Sequence, residues 1–383
     1  MRDAVTRVVR DETVAEVSRR MLASLPRRDQ RLKGEKYVEG LLRVPGRKTM
    51  RAIAAAAGGG AAEQSVHHFI SKSSWDWSRV RRDLGQYVDE AIEPQAWVVH
   101  PLAIPKWGRH SVGVQESYVA ALGRVANSQQ AYGVWLASET VSAPVNWHLL
   151  LPEGWLTDDE RRRRAEIPED VSALDADRAL LDVVGEMAGD WPVRRRPVVL
   201  DGRQAEDLVS LVDALRRAGI PFVMRVGPTA PLAPCSGGEG GGADAASVAE
   251  RARPGALPVR WMDPEGWGAA RVPLATRVPV VLAAPGRRAA PTPLALVAAW
   301  NGTAAGAVGA GAGADELWLS NLFAASAADL LRLGRLVRRV ETDATAIGGR
   351  VGLRDFEGRC YGGWHRHVTL CSIAHAVVAA ADA

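Results

Sequence analysis

The chain has 383 residues, of which 47% are apolar and 24% are charged, and its formal net charge is +4. This composition is typical of a soluble globular protein, and the weakly basic balance permits nucleic-acid binding without requiring it. No apolar run approaches the ~18 residues that a membrane span needs. The N-terminal charges alternate, unlike a signal peptide, and three cysteines without CxxC spacing predict neither a disulfide framework nor a zinc site. We therefore expect a cytoplasmic protein without membrane contact.

Residues 1–95 are predicted to form an N-terminal helical domain. Apolar residues recur at helical spacing in Thr13–Leu22, and further helices are predicted at Lys48–Ala54, Ala62–Ile70 and Trp77–Glu90. Turn residues, among them Pro45-Gly46, separate these segments.

Residues 96–226 change to the pattern of short strands and are predicted to form the first part of an α/β core. Strands are predicted at Trp97–His100, Ser111–Val114, Ala131–Ser138, Val145–Leu151 and Val198–Asp201. The amphipathic helix Leu208–Ala218 and the strand Pro221–Val226 complete a β-α-β unit.

Residues 227–315 are rich in Gly, Ala and Pro and are predicted to be a partly flexible insertion. The run Gly237–Gly242 lacks the Lys-Ser/Thr and the helix start of a phosphate loop, and Gly302–Gly313 reads as a linker. The strand Leu294–Trp300 interrupts the insertion. Residues 316–383 return to the core with the strand Glu316–Ser320 and two long helices, Ala327–Gly348 and Trp364–Ala381.

Three polar residues lie at the end of a predicted core strand or within a predicted core helix. His100 ends the first strand, Asp201 ends a later strand, and Glu341 lies in the first of the two long helices. Two-metal phosphoryl transfer needs carboxylates that converge from separate elements. A neutral imidazole at position 100 brings no negative charge, so we expect no Mg²⁺ cofactor at this site. His100 is equally well explained as a core histidine.

Several segments, taken in order, resemble the IS701-type transposases, a branch of the IS4-like DDE superfamily. They are the segments 106–114, 125–129, 149–155, 318–321, 339–343, 352–359 and 363–370. The resemblance implies an α/β fold with an RNase H-like mixed sheet flanked by helices, an N-terminal helical bundle and an insertion before the last helices. It also places the family's three catalytic carboxylate positions at His100, Asp201 and Glu341, and Lys106 follows the first of them.

The chain departs from that family at several positions. The family's first aspartate is replaced by His100, and Gln204-Ala205 stands where a Tyr-Gly pair follows the second aspartate. The Tyr, Arg and Lys that surround the family's glutamate are replaced by Gly334, Val337 and Gly348. The resemblance therefore implies a degenerate active site without DDE strand transfer.

Three interpretations remain open. The first is a domesticated, DNA-binding regulator, dimeric on DNA as the resemblance implies, that contacts phosphates through basic residues. The candidates are Arg47, Lys48, Arg51, Lys72, Arg79, Arg81, Arg82 and Arg109. The second is an enzyme for a small or carrier-bound molecule, in which His100 is a general acid or base. Asp201 and Glu341 would orient it or hold substrate, with Lys106 or Arg109 nearby. The third is a decayed gene without a selected function.

Overall fold

The computed structural model describes residues 14–56, 61–119, 122–235, 244–259, 273–283, 293–300 and 313–382. The predicted flexible run Gly237–Gly242 and nearly all of the predicted linker Gly302–Gly313 lie outside the described residues. The chain divides into two compact units, and neither is continuous in sequence. The first comprises Met1–Pro94, His100–Arg194 and Val340–Ala383, and the second comprises Gln95–Val99 and Arg195–Arg339.

The helices begin and end close to the predicted positions. Residues 14–21 are helical, and the helices that follow in chain order are α1 (Arg28–Arg43), α2 (Met50–Ala56), α3 (Ala61–Ser71), α4 (Trp77–Ile92), α5 (Glu153–Leu156), α6 (Asp159–Arg164), α7 (Ala176–Asp190), α8 (Leu208–Arg217), α9 (Ala245–Ala252), α10 (Ala327–Arg350) and α11 (Tyr361–Asp382). A 3-10 turn covers Arg253–Gly255. In the described chain, no helix is both long enough and apolar enough to cross a membrane.

The strands, in chain order, are β1 (Ala96–Pro105), β2 (Gln115–Val119), β3 (Arg124–Ala137), β4 (Ser142–Leu150), β5 (Val198–Asp201), β6 (Phe222–Arg225), β7 (Leu232–Pro234), β8 (Leu257–Pro258), β9 (Leu274–Leu282), β10 (Leu294–Trp300) and β11 (Glu316–Ser320). The prediction of a strand at Ser111–Val114 is wrong. Those residues form a turn in which Gly113 has φ +74°, a conformation that glycine adopts without strain.

In the first unit, the last residues of β1 lie beside β3, which pairs antiparallel with β2 on one side and is also paired with β4. Helix α11 packs on β4 and on α1, α3 and α4. Almost all side chains of α11 are buried, so this helix forms the centre of the unit. A helix that is apolar or buried all round is typical of such a core position.

In the second unit, the first residues of β1 pair in parallel with β5, and β5 pairs in parallel with β6. The sheet then continues antiparallel through β11, β10, β9 and β7. The pairing places Asp201, the last residue of β5, opposite Arg225. The β5-α8-β6 segment is the predicted β-α-β unit, and Asp207 caps α8 by accepting a hydrogen bond from the Ser210 N–H at 3.0 Å.

Candidate functional site

His100 lies in the middle of β1, half-buried in the first unit. Its ring stands edge-on to the indole of Trp135, with 6.5 Å between ring centroids and 89° between planes. Burial, reinforced by the charge of the Arg354 guanidinium, lowers the pKa of His100 to about 4. At neutral pH the ring is therefore an uncharged imidazole beside a cation, which is the opposite of the negative charge that an aspartate brings to this position.

Lys106, one residue past the end of β1, is tied to the segment Arg354–Glu357. Its ammonium group donates to the backbone carbonyl of Phe356, and its backbone N–H donates to Asn127 O at 2.8 Å. Burial and the charge of Arg47 lower the pKa of Lys106 to about 8, against the opposing effects of Glu357 and Asp355. This lysine is held by the protein itself and does not project freely into solvent.

The same short segment gathers contacts from several parts of the first unit. Arg354 lies near His100, Asp355 accepts from the Lys48 backbone N–H at 2.8 Å, and Glu357 pairs with Arg47 at 2.8 Å. A glycine is required at position 358, because an added Cβ would lie 2.2 Å from the Phe356 ring. The segment therefore joins the N-terminal helices to the strand that carries His100.

Asp201 lies in the second unit and is held by its own neighbour. Arg203 Nε donates to both carboxylate oxygens, at 2.9 and 3.1 Å, and Nη2 donates to Oδ2 at 2.5 Å. Burial alone would raise the pKa of Asp201, but the Arg203 hydrogen bonds and the charges of Arg203 and Arg225 lower it below its usual range. The carboxylate is ionised and already neutralised by a guanidinium.

Glu341 is exposed on α10, whereas Asp343, two residues further on, is buried. The Asp343 carboxylate accepts from Ser142 N at 2.7 Å and from Ser142 Oγ at 2.8 Å. Residues two apart on a helix point to different sides. Asp343 thus anchors α10 to β4, while the side chain of Glu341 remains in solvent.

The family described as DDE superfamily endonuclease matches residues 20–270 of the chain. The chain belongs to this superfamily. The match includes His100 and Asp201 and ends before Glu341, and no curated protein matches the chain. The large mixed sheet flanked by helices confirms the prediction of an RNase H-like α/β fold, and membership supports a transposase-like protein that acts on DNA. The IS701 type remains a prediction.

Of the three accessory positions, Gly334 is closed by packing in this DDE superfamily protein, whereas a side chain at Gly348 would make only an ordinary contact. In the second unit, a Cβ on Gly334 would lie 2.7 Å from the Trp318 ring, so a tyrosine at this position has no room. Val337 is half-buried. In the first unit, a Cβ on Gly348 would touch Leu353 at 3.4 Å. The space left by the missing Tyr is filled by an indole ring.

Magnesium is the metal that the superfamily implies, and the residues present do not fit it. Across the described ranges, no group of three or more His, Cys, Asp and Glu side chains is placed to hold a metal ion. Hard divalent cations prefer several negatively charged oxygen ligands. Here His100 is uncharged and subject to the positive charge of Arg354, and the Asp201 carboxylate forms an ion pair with Arg203, so the negative charge that a hard cation prefers is reduced at both residues.

Most of the predicted DNA contacts are exposed basic side chains. They are Arg47, Arg51, Lys72, Arg79, Arg82 and Arg109. Four of them pair with acids, Arg47 with Glu357, Lys72 with Glu166, Arg79 with Asp76 and Arg109 with Glu116. Exposed pairs of this kind contribute little and leave the cations available to another anion. Lys48, in contrast, is only 5% exposed.

Arg81 requires a correction, because it lies in the core and is 3% exposed. Its guanidinium donates to Thr369 Oγ1 at 2.9 Å, to Trp147 O at 2.9 Å and to Asn146 Oδ1 at 3.3 Å. His365 Nδ1 lies 3.0 Å from Nη2 and accepts, since a guanidinium can only donate. Arg81 therefore holds α4, β4 and α11 together and does not reach a phosphate.

Two residues near the site were not singled out from the sequence. Arg354 carries the charge beside His100, and its position follows only from tertiary structure. Trp107 is completely exposed between Lys106 and Arg109. A tryptophan flanked by basic residues and adjoining a glycine turn is a signal that the sequence contains. A single exposed apolar side chain is common on protein surfaces, so only the neighbouring basic residues make Trp107 a candidate contact.

Proposed function

We propose that this DDE superfamily protein binds DNA and does not cleave or join its strands. The observation that carries the proposal is the environment of His100: a half-buried neutral imidazole with the Arg354 guanidinium nearby. Metal-dependent strand transfer depends on negative charge at this position. The positive charge of Arg354 acts on the same ring and disfavours a cation there, so the effect extends beyond the single replacement.

The DNA-binding half of the proposal is supported by exposed side chains of the first unit. Arg79 and Arg82 lie on α4, and Arg109 lies in the turn after β1. Phosphate contacts by such residues bind DNA of any sequence and weaken as salt is raised. Trp107, two residues before Arg109, adds an exposed aromatic side chain suited to stacking on a base or wedging between base pairs.

Binding is tested with the full chain by gel shift, on duplexes from the flanking DNA of the gene and on a random duplex, at several salt concentrations. We expect binding at low salt, with a logarithmic salt slope of about −0.9 per phosphate contacted. R79Q should weaken binding and reduce the slope. R178Q is the matched control, because Arg178 is also exposed and also pairs with an aspartate on its own helix, Asp182 at 3.2 Å. Absence of binding at low salt would overturn this half of the proposal.

Cleavage is tested separately with supercoiled plasmid in Mg²⁺ and in Mn²⁺. We expect no nicking by the wild-type chain. Nicking that D201N abolishes would show a working metal site and overturn this half of the proposal. Because the two assays are independent, one half can fail without the other.

The enzyme interpretation has weaker support. A general acid or base works best when its pKa lies near the working pH. The pKa of His100 is about 4, so at neutral pH the ring is a weak base and hardly ever an acid. Lys106, with a pKa of about 8, has the more suitable value, but its ammonium group donates to the Phe356 carbonyl.

A further inference from the structure

A cleft of about 700 Å³ opens in the first unit, and neither His100 nor Asp201 is among its lining residues. One wall is the end of α1 with the turn 44–48, and the other is the last two turns of α10. Gly46 has φ +64° in that turn, which favours glycine, and nothing lies within 4 Å of its Cβ position. These helices and the turn between α1 and α2 supply most of the lining residues.

The charges in the cleft are strongly one-sided. Arg43, Arg47, Lys48 and Arg350 line it, and Asp355 is the single acid among the lining residues. Arg43 pairs with Glu39 at 2.5 Å and Arg47 with Glu357 at 2.8 Å. Both are exposed pairs, and exposed pairs contribute little to stability.

Arg350 has no such ion pair, and the acid that acts on the charge of Lys48 is Asp355. Within the described residues, Arg350 makes no hydrogen bond or ion pair. The Lys48 ammonium donates only to a backbone carbonyl, that of Val44. Burial lowers the pKa of Lys48, the charge of Asp355 opposes this, and the charge of Arg350 has a smaller lowering effect. Two cations that repel each other across a cleft are stabilised by an anion between them.

Apart from Thr345, the remaining lining side chains are apolar, among them Leu42, Val44, Pro45, Val351 and Val378. The volume falls in the range of ~300–1,000 Å³ typical of small-molecule sites and far exceeds that of a bare ion. Arginine binds phosphate through two parallel hydrogen bonds. We propose that this cleft binds an organic phosphate of about mononucleotide size, with the phosphate held by the exposed Arg350 and the organic part against the apolar wall.

The site is tested by calorimetric titration of the full chain with AMP and with phenyl phosphate, and with adenosine and inorganic phosphate as partial ligands. We expect saturable binding of one equivalent of at least one organic phosphate, and binding at least tenfold weaker for each partial ligand. R350Q should weaken binding about tenfold, as expected for the loss of a charge-assisted hydrogen bond. R332Q is the matched control, because Arg332 is an exposed arginine of the same helix that does not line the cleft.

A second pair of variants keeps the test independent of Arg350. Ala346 is exposed on α10 and lines the cleft, so a longer side chain fits without disturbing the core. A346E should weaken binding and A346K should strengthen it. The proposal is overturned if no organic phosphate binds, if adenosine or inorganic phosphate binds as tightly as the organic phosphates, or if R350Q and R332Q behave alike. Displacement of AMP by a DNA duplex that R350Q no longer binds would assign the cleft to DNA and would also overturn it, whereas the gel shift with R79Q tests DNA binding separately.

Discussion

Replacement of Arg81 by methionine tests whether this arginine is structural. The guanidinium makes hydrogen bonds to β4 and to α11 from its position on α4. Methionine has a similar length and good helix propensity, so R81M removes the donors with little change in helix preference or volume.

The expected loss follows from the partners left behind. Asn146 Oδ1 keeps a second donor, the Trp147 N–H at 2.9 Å, and Thr369 Oγ1 still donates to His365 O at 2.7 Å. Trp147 O and His365 Nδ1 lose the guanidinium, and each buried unsatisfied group costs about 1–3 kcal/mol. Removal of the guanidinium also removes the cost of burying its charge, which offsets part of this loss, since burial lowers the pKa of Arg81 to about 10. We expect a net loss of about 3 kcal/mol.

The measurement is thermal unfolding followed by tryptophan fluorescence. A loss of about 3 kcal/mol corresponds to roughly 6–12 °C in Tm for a unit of this size. The control is R79M, two residues earlier on the same helix, where Arg79 is exposed. A surface change of this kind is expected within about 0.5 kcal/mol.

Equal Tm values for R81M and R79M would refute the assignment of Arg81 to the core. The DNA gel shift gives a second criterion. R79M should reduce the salt slope of binding, whereas R81M, measured well below its Tm, should leave the slope unchanged because Arg81 contacts no phosphate.

Three further outcomes are expected. Burial lowers the pKa of His375 to about 3. Below the usual histidine pKa of about 6.5 the unfolded chain binds a proton that the folded protein does not, so the free energy of unfolding falls by up to about 1.4 kcal/mol for each pH unit of acidification. Urea titrations at pH 7 and pH 5 should show a smaller fall for H375Q than for the wild-type chain. G334A should destabilise the protein by about 1–2 kcal/mol, because the Cβ meets Trp318, whereas G349A, with open space around the Cβ, should be neutral or stabilising. Burial raises the pKa of the Cys371 thiol well above its usual value, so iodoacetamide should alkylate this thiol only after unfolding. Mass spectrometry measures the labelling, and labelling of Cys371 in the folded chain would contradict its burial.

The sequence determined the regular elements with local signals. The strands Val198–Asp201, Leu294–Trp300 and Glu316–Ser320 have the predicted bounds, because short β-branched or apolar runs end at turn residues there. Helix α10 begins where Ser326 and Asp329 cap each other's backbone N–H groups, at 3.2 and 3.1 Å. The order of segments also carried the resemblance to the DDE superfamily, which the family match confirms.

Strand β1 shows where local patterning fails. The sequence predicted its end at His100, before Pro101, since proline cannot donate to a sheet. The strand continues to Pro105 because its later residues lie beside β3. Pairing with a partner distant in sequence therefore outweighs the local preference.

The roles of charged residues were decided only by tertiary structure. Arg79, Arg81 and Arg82 are alike in local sequence, yet Arg81 alone lies on the buried stripe of α4 with Val80, Leu84 and Val88. The helical spacing already places Arg81 on this buried stripe. The hydrogen-bond acceptors on Asn146, Trp147 and Thr369, however, come from elements far along the chain. Composition and periodicity fix which elements form, whereas the charge state and accessibility of His100, Arg81 or Lys48 depend on burial and on neighbours that only the folded chain brings into contact.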